Sequence, residues 1–582
     1  MLRKLLLISA LTAGLLAAPA QAQFSRVLLM PGVTYERQVQ FTAYGPVAIH
    51  VVIAPRPTGA YALKPVLSNG AIVGRDKVSS IQKDTSRDFT AAGVNGDLFA
   101  WEDGRPSSVL VRSGVLDHSP NPDRSSLGIT GDGTLVVDKL RMFGTWRGTS
   151  QRRPMDVNHP PGPNGAALYT PAWGPATPAA QGTVEAVIFP LPPTTIGGDI
   201  AGPVIQVAQN GNTPIPVGGA VLVARGTSAQ RFLEEAPVGT NAVFRILISP
   251  DWQTAGVTDM IGGGPVLVRE GKPVFRANEQ FTTAQLARNP RTGVGQLADG
   301  RIVFVVVDGR RPGYSVGMTN FELGQTLVRL GAVTGFALDA GGSSTIAFDG
   351  TVLNKPSDPG GERAVSECLC LLYRGVYLPP PTEPVLSPNA DGVAESQQLA
   401  YKLTRPSTVT VSLVGPDGAV RTIDSGEKPT PGVYRFSWAG TTPEGAPEPD
   451  GRWRLTVSAV DDQGLATSAS RDFALNRTLG SLAVRPSLVR VRPRLGGTLT
   501  ASFRLERAAL VTLRVETRAG AVVTIGARKK LGAGAQTLTW NGRVGKRPAS
   551  SGSYVVRVIA KNELGSVDLA TQFRVRRVAA RR

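Results

Sequence analysis

The 582-residue chain holds only two cysteines and three histidines. Two cysteines exclude a framework of disulfides, so stability must come from packed cores. Cys368 and Cys370 alternate within an apolar run, Ala364 to Leu372, that reads as a strand with both side chains on one face. A bridge between positions two apart in a strand strains its geometry, so two buried thiols are expected. Three histidines are too few for a histidine-rich metal site and argue against a Ser-His-Asp hydrolase. His50 falls in a strand-like run; His118 and His159 fall in loop-like segments. No cofactor is implied, and any divalent-metal requirement is left open. Long apolar runs are missing too, apart from Leu5 to about Ala18. That run is short for a membrane span. With Arg3 and Lys4 before it and Ala20-Gln21-Ala22 after it, residues 1–22 have the layout of a secretory signal peptide. The expected location is secreted or envelope-associated, in a bacterial-type cell, with no stable membrane span.

Acidic residues are scarce at one end. The net charge is +19, and residues 481–582 carry 21 Lys and Arg against 4 Asp and Glu, a local net of +17. A cationic terminal module on an exported chain fits an anionic cell-wall polymer as partner. A solvated basic face is the plain alternative. Interleaved aromatics for stacking nucleic-acid bases are sparse, so no specific nucleic-acid partner is expected.

The rest of the chain divides by composition. Residues 23–378 mix short β-branched runs (Val47 to Ile53, Ile302 to Val307) with a helical stretch, Phe321 to Leu330, stopped by Gly331. This reads as a mixed α/β (α+β) domain. Residues 379–384, with four prolines, form a stiff linker. Beyond it the sequence repeats. Tyr401-Lys402-Leu403 matches Phe503-Arg504-Leu505, Gly418-Ala419-Val420 matches Gly520-Ala521-Val522, and Trp438-Ala439-Gly440 matches Trp540-Asn541-Gly542, all at one offset. Residues 385–478 and 479–582 therefore read as two all-β, Ig-like sandwiches. Ser387 to Gly392 reads as a turn rather than a calcium loop.

The most informative segment is Leu338-Asp339-Ala340-Gly341-Gly342-Ser343. An apolar strand delivers a carboxylate into a glycine turn whose N–H groups can converge on an anion. Asp308 ends a run of three valines, and Asn95 precedes Gly96. Taken singly, each is an ordinary turn residue.

Read together, Asn95-Gly96-Asp97-Leu98-Phe99, Gly262-Gly263-Gly264-Pro265, Pro290-Arg291-Thr292, Asp308-Gly309 and Leu338 to Ser343 resemble, in order, the motif blocks of the phosphodiester glycosidase family. The resemblance covers about residues 90 to 375. Asp97 and Ala340 stand where the family usually has glycine. The tandem sandwiches resemble the Ig-like domain of flagellar hook-capping proteins.

The resemblance implies a hydrolase that cleaves a sugar, possibly N-acetylglucosamine, from a sugar–phosphate diester in an envelope polysaccharide or glycopolymer. It implies Asp308 and Asp339 as the catalytic carboxylates. It implies Asn95, Arg291, Gly341, Gly342, Ser343 and Asn354 as substrate-binding residues, with Arg291 forking onto phosphate. If the two carboxylates share a pocket, like-charge proximity raises one pKa and makes an acid. The alternative is a non-catalytic envelope glycan-binding protein.

Overall fold

A computed structural model describes residues 25–275, 278–492, 496–517 and 522–578. The expected signal peptide, residues 1–22, lies outside them. The chain divides into two compact units, Met1–Tyr373 and Arg374–Arg582. Among the described residues no helix is long and apolar enough to cross a membrane.

Regular structure in the first unit is predominantly strand, with few helices among the described residues, so the mixed α/β (α+β) expectation is met only in part. Its α-helices are Val78–Thr85, Gly226–Glu235, Thr283–Leu286 and Asn320–Arg329. One helix-to-strand step is real: Asn320–Arg329 leads into strand Ala332–Ala337. That strand nevertheless pairs antiparallel with both its neighbours. Among the described residues there is no series of parallel crossovers of the kind that builds an open α/β frame.

The site rests on an eight-stranded sheet. Its central order is Gly45–Ala54, Ile302–Val307, Arg291–Leu297, Ala332–Ala337. All these pairings are antiparallel. Strands Ile302–Val307 and Ala332–Ala337 flank Arg291–Leu297 and so run the same way as each other. Their C-terminal ends, and the start of the strand between them, lie at one edge. The residues that follow are Asp308 and Leu338-Asp339, with Arg291 beside them. Val47, Ile49, Val303, Val305 and Val307 bury one face of the sheet against Leu323 and Leu327 of helix Asn320–Arg329. That helix begins where expected, because Thr319 and Glu322 form a reciprocal capping box. Gly331 follows it at φ +95°, a conformation that favours glycine.

A second sheet in this unit orders Thr351–Val352, Ile346–Phe348, Thr90–Asn95, Glu367–Tyr373 and Tyr61–Leu67. Its seven-residue strand Glu367–Tyr373 is buried throughout. Cys368 and Cys370 share a face there, as expected. They are joined in a disulfide rather than left as thiols, since their Cα atoms lie 5.7 Å apart, within bridging range.

The second unit holds two similar sandwiches. The first pairs a five-stranded sheet with strands Gln397–Leu403 and Gly432–Trp438; the second pairs a five-stranded sheet with a three-stranded one. Trp438, Trp453 and Phe473 fill the first core, and Trp540, Tyr554 and Phe573 the second. The repeated Trp-x-Gly has a local cause in each. The indole N–H donates to a carbonyl three residues on, Thr441 or Arg543. The glycine between them has φ +74° or +71°. Val376 and Leu378 already pack into the first core. The second unit thus begins ahead of the proline run, and Pro384 accepts a backbone hydrogen bond from Ala474. In the Ser387 to Gly392 segment, the Asp391 N–H bonds the Asn389 side chain, as in a turn.

Candidate active site

Asp308 is almost fully buried. One carboxylate oxygen takes hydrogen bonds from the Asn354 amide, 3.0 Å, and the Lys355 N–H, 3.0 Å. The other meets His50 Nε2 at 2.9 Å and the Tyr314 hydroxyl at 2.8 Å. Burial alone drives a carboxyl pKa up. Here the bonds from His50, Tyr314 and Asn354 outweigh it and hold Asp308 below the ordinary aspartate range. His50 is therefore more than a strand residue: its Nδ1 also meets the Tyr35 hydroxyl at 2.7 Å, and Tyr35 donates to the Leu353 carbonyl. Asn354 links Asp308 onward by donating to the Ser344 carbonyl and accepting from Ile346 N–H.

Asp339 is half-buried and held differently. It accepts from the Ala340 N–H at 2.8 Å and the Ser343 hydroxyl at 2.5 Å. Burial pushes its pKa up to about 6, and the nearby Asp97 charge adds to the rise; the two bonds and Arg363 oppose it. Like-charge pressure on Asp339 thus comes from Asp97, not from the expected Asp308. Asn95 fixes the turn beneath: its amide donates to the Asp339 carbonyl, and its oxygen accepts from Thr292 and from the Thr345 N–H. Ala340 has φ −115°, ordinary for any residue, so its Cβ costs nothing there. Gly341 has φ +71° and needs glycine. Its N–H already donates to the Pro290 carbonyl, so Gly341 is not an open anion donor as expected. At Gly342 an added Cβ would lie 2.1 Å from both Arg363 Nη2 and Asp358 Oδ1, so glycine lets that ion pair close over the turn.

Arg291 is buried, with Nε donating to the Met318 carbonyl at 3.0 Å and Nη2 to the Ala287 carbonyl. Burial lowers its pKa to about 10, with Asp339 opposing the fall. The expected phosphate fork is thus partly committed to carbonyls. Two arginines that the sequence reading did not assign to the site also reach the turn. Arg310 is exposed and approaches Gly341, where an added Cβ would lie 2.7 Å from its Nη2. Arg363 bonds Asp358 through two nitrogens, and its Nη1 reaches Ser343 Oγ at 3.4 Å.

Behind the turn lies a buried pair of acids. Glu367 accepts from the Asp97 N–H at 2.7 Å. Burial raises its pKa to about 8, with Asp97 adding to the rise. Burial also raises the pKa of Asp97, opposed by Arg124, whose Nη1 lies 3.2 Å from Asp97 Oδ1. Gly96 must be glycine on space alone, since a Cβ there would lie 2.6 Å from Glu367 Oε1. Glu367 sits in an apolar run, and a carboxylate in such a run is a signal for a special environment. Among the described residues no group of three or more His, Cys, Asp or Glu is placed to hold a metal ion.

The chain is 37% identical over 119 residues to the SPbeta prophage-derived uncharacterized protein YomE of Bacillus subtilis (strain 168), a match covering 20% of this chain and 18% of that protein. The chain therefore spans less than a fifth of the length of that curated relative. A solved structure of a hypothetical protein from Synechocystis shares the fold, with a TM-score of 0.52 and 22% identity over 60% of this chain and 64% of that one. The zebrafish N-acetylglucosamine-1-phosphodiester alpha-N-acetylglucosaminidase catalytic domain, auto-inhibited by its pro-peptide, aligns with a TM-score of 0.32 and 14% identity over 60% of this chain and 87% of that one. Residues 196–372 match the phosphodiester glycosidase family model, and residues 387–463 match the FlgD Ig-like domain model, in the order in which the sequence motifs run.

Proposed function

We propose that the first unit is a glycosidase that hydrolyses a sugar–phosphate diester, with Asp339 as its proton-carrying residue. The family match to residues 196–372 supports glycosidase-type chemistry. The observation that carries the reading is the environment of Asp339. A half-buried carboxyl with a pKa near 6, in a glycine turn beside cations, retains a proton at mildly acidic pH and can pass it to a departing phosphate oxygen. Arg310, Arg363 and the Gly342 N–H face the phosphate in this reading. Asp308 stays ionised and holds Tyr314, Asn354 and Lys355 in place. Asn95 fixes the turn that presents Asp339. The substrate is an N-acetylglucosamine phosphodiester of an envelope glycopolymer, met outside the cytoplasmic membrane.

The test is release of sugar from an N-acetylglucosamine 1-phosphodiester by the purified protein. Release abolished by Asp339→Asn is the expected result. Tight binding without turnover across a panel of sugar phosphodiesters would reverse the reading in favour of a glycan-binding protein, the role that Asp97 in place of glycine would suit.

A further inference from the structure

Trp101 is 62% exposed, although a tryptophan side chain is among the most costly to leave in water. It stands in a closed loop that starts from the site itself. Asn95 and Asp97 lie at the base of that loop. Above them Phe99 bridges Pro106, the Ala100 N–H donates to the Arg105 carbonyl at 2.9 Å, and the Gly104 N–H to the Ala100 carbonyl at 2.8 Å. The Phe99 ring braces Trp101 from 5.2 Å. The indole is thus presented on a fixed support.

Two guanidinium groups lie against it. Arg363 Cζ is 5.3 Å from the Trp101 ring centroid, and the same arginine reaches Ser343 Oγ and, through it, Asp339. Arg75 Cζ is also 5.3 Å from that ring and 5.5 Å from the Phe99 ring. Unlike Arg363, Arg75 is exposed and has no acidic partner among the described residues. A largely exposed indole beside a guanidinium with no acidic partner among the described residues matches one ligand chemistry well. The C–H face of a sugar ring packs on an indole, and a phosphate or carboxylate on the next linkage takes a guanidinium fork. A lone ring among charged groups is too small an apolar patch for a protein partner.

We propose that Trp101 and Arg75 form a second saccharide subsite, which takes the neighbouring unit of an anionic glycan whose reacting phosphodiester lies at Gly341 to Ser343. This rests on the function proposed above and deepens it: the substrate is a chain of glycosyl phosphates rather than a single capped sugar phosphate.

The test compares two substrates on the full-length protein. One is an N-acetylglucosamine 1-phosphodiester of a small alcohol; the other is an oligomer of two or more glycosyl-phosphate repeats. Wild-type protein should favour the oligomer in kcat/KM. Trp101→Ala should cut that preference about tenfold, the equivalent of ~1.4 kcal/mol, and Trp101→Phe should restore most of it. Arg75→Ala should cut it less and weaken its dependence on salt. A preference unchanged in Trp101→Ala overturns the subsite. If wild-type protein hydrolyses neither substrate, the functional reading fails and the subsite is judged by calorimetric binding of the oligomer. Weaker binding by Trp101→Ala sustains it, and equal binding overturns it.

Discussion

Asp308 and Asp339 follow two strands that flank a third, at one edge of one sheet, yet the protein treats them in opposite ways. Asp308 receives four hydrogen-bonding groups and is held ionised. Asp339 receives two, feels Asp97, and is pushed toward the protonated form. The strand ends alone do not set this difference. What decides it is how many donors the surrounding loops bring and which charges stand behind. A carboxylate saturated with donors is a poor proton carrier and a good anchor; one with few donors and an acidic neighbour is the reverse.

The largest expected effect tests Asp339. Asp339→Asn keeps the size and one acceptor but removes the proton. Turnover of a sugar phosphodiester should fall by roughly 10²–10⁴-fold, the usual weight of a general acid. In wild-type protein kcat/KM should fall as pH rises through about 6, because the protonated form is the active one. A wild-type profile flat from pH 5 to 8 would remove Asp339 from proton transfer.

Asp308→Asn should act on stability first. Asparagine keeps one acceptor oxygen where the carboxylate satisfies four groups, and Asp308 is buried. The loss should be about 3 kcal/mol in denaturant unfolding of the first unit, as for a broken buried charge site. The pH dependence follows from the sign of the shift. The folded pKa lies below the unfolded value, so this stabilisation is present above the ordinary aspartate pKa and is lost as pH falls through the folded value. The variant should therefore lose part of the acid sensitivity of the wild-type protein. Equal acid sensitivity in both would show that Asp308 is not the anchor.

A smaller effect of opposite sign is expected at Glu367. Its folded pKa is raised to about 8 by burial and by Asp97. The stability linked to its proton is complete below the unfolded pKa, near 4.3, and is lost as pH rises through about 8. Glu367→Gln keeps a neutral side chain of the same shape. It should raise Tm at pH 9 by roughly 2–4 °C, the shift expected for about 1 kcal/mol, and change it little at pH 5. Thermal unfolding at the two pH values reads this directly. A Tm that falls equally at both would mean that the charged form is the stable one.

Local features of the fold were legible in the sequence, and sheet order was not. Ile302 to Val307 is β-branched throughout except Phe304, and it forms a strand with those bounds. The helix at 320–329 announced itself by the apolar spacing from Phe321 to Leu330 and by Gly331. The mixed α/β reading generalised from that one helix-to-strand step. Antiparallel pairing depends on contacts far apart in sequence, such as Val305 with Val51, which no local pattern encodes. The site shows the same limit. Asp308, Asp339, Asn95 and Asn354 stood out as motif residues, and the structure ties them as two pairs, Asp308 with Asn354 and Asp339 with Asn95, that bond to neighbouring residues of one segment, 344–346. Asp97 stood out only as a departure from glycine. Its meaning depends on Arg124 and Glu367, which lie 27 and 270 positions away. Arg291 was read as a free fork because its carbonyl partners, Ala287 and Met318, belong to loops whose course the sequence does not fix.

The smallest expected effect on the two carboxylates comes from the far end of the chain. Residues 481–582 belong to the second compact unit, and their sandwich has its own core, from Val489 to Val575. Their charge is concentrated on outward strand positions. Arg490 pairs in register with Arg576, and Arg574 sits two residues before it; all three are exposed, with no acidic partner among the described residues. Like charges side by side on a sheet face destabilise it, and an anionic polymer laid across them would relieve that cost. The corresponding face of the first sandwich is mostly hydroxyl: Ser412 pairs with Thr456, and Thr456 with Ser470. Truncation after Gly480 should therefore leave kcat/KM on a small soluble substrate, and its fall through about pH 6, unchanged within error. It should abolish retention on an anionic cell-wall polymer at low salt. That retention should also fade in the full-length protein at 1 M salt, where the Debye length is about 3 Å. A pH profile displaced by the truncation would mean that the balance between Asp308 and Asp339 is not set within the first unit. Retention equal in both forms at every salt concentration would reduce the arginine row to a solvated surface.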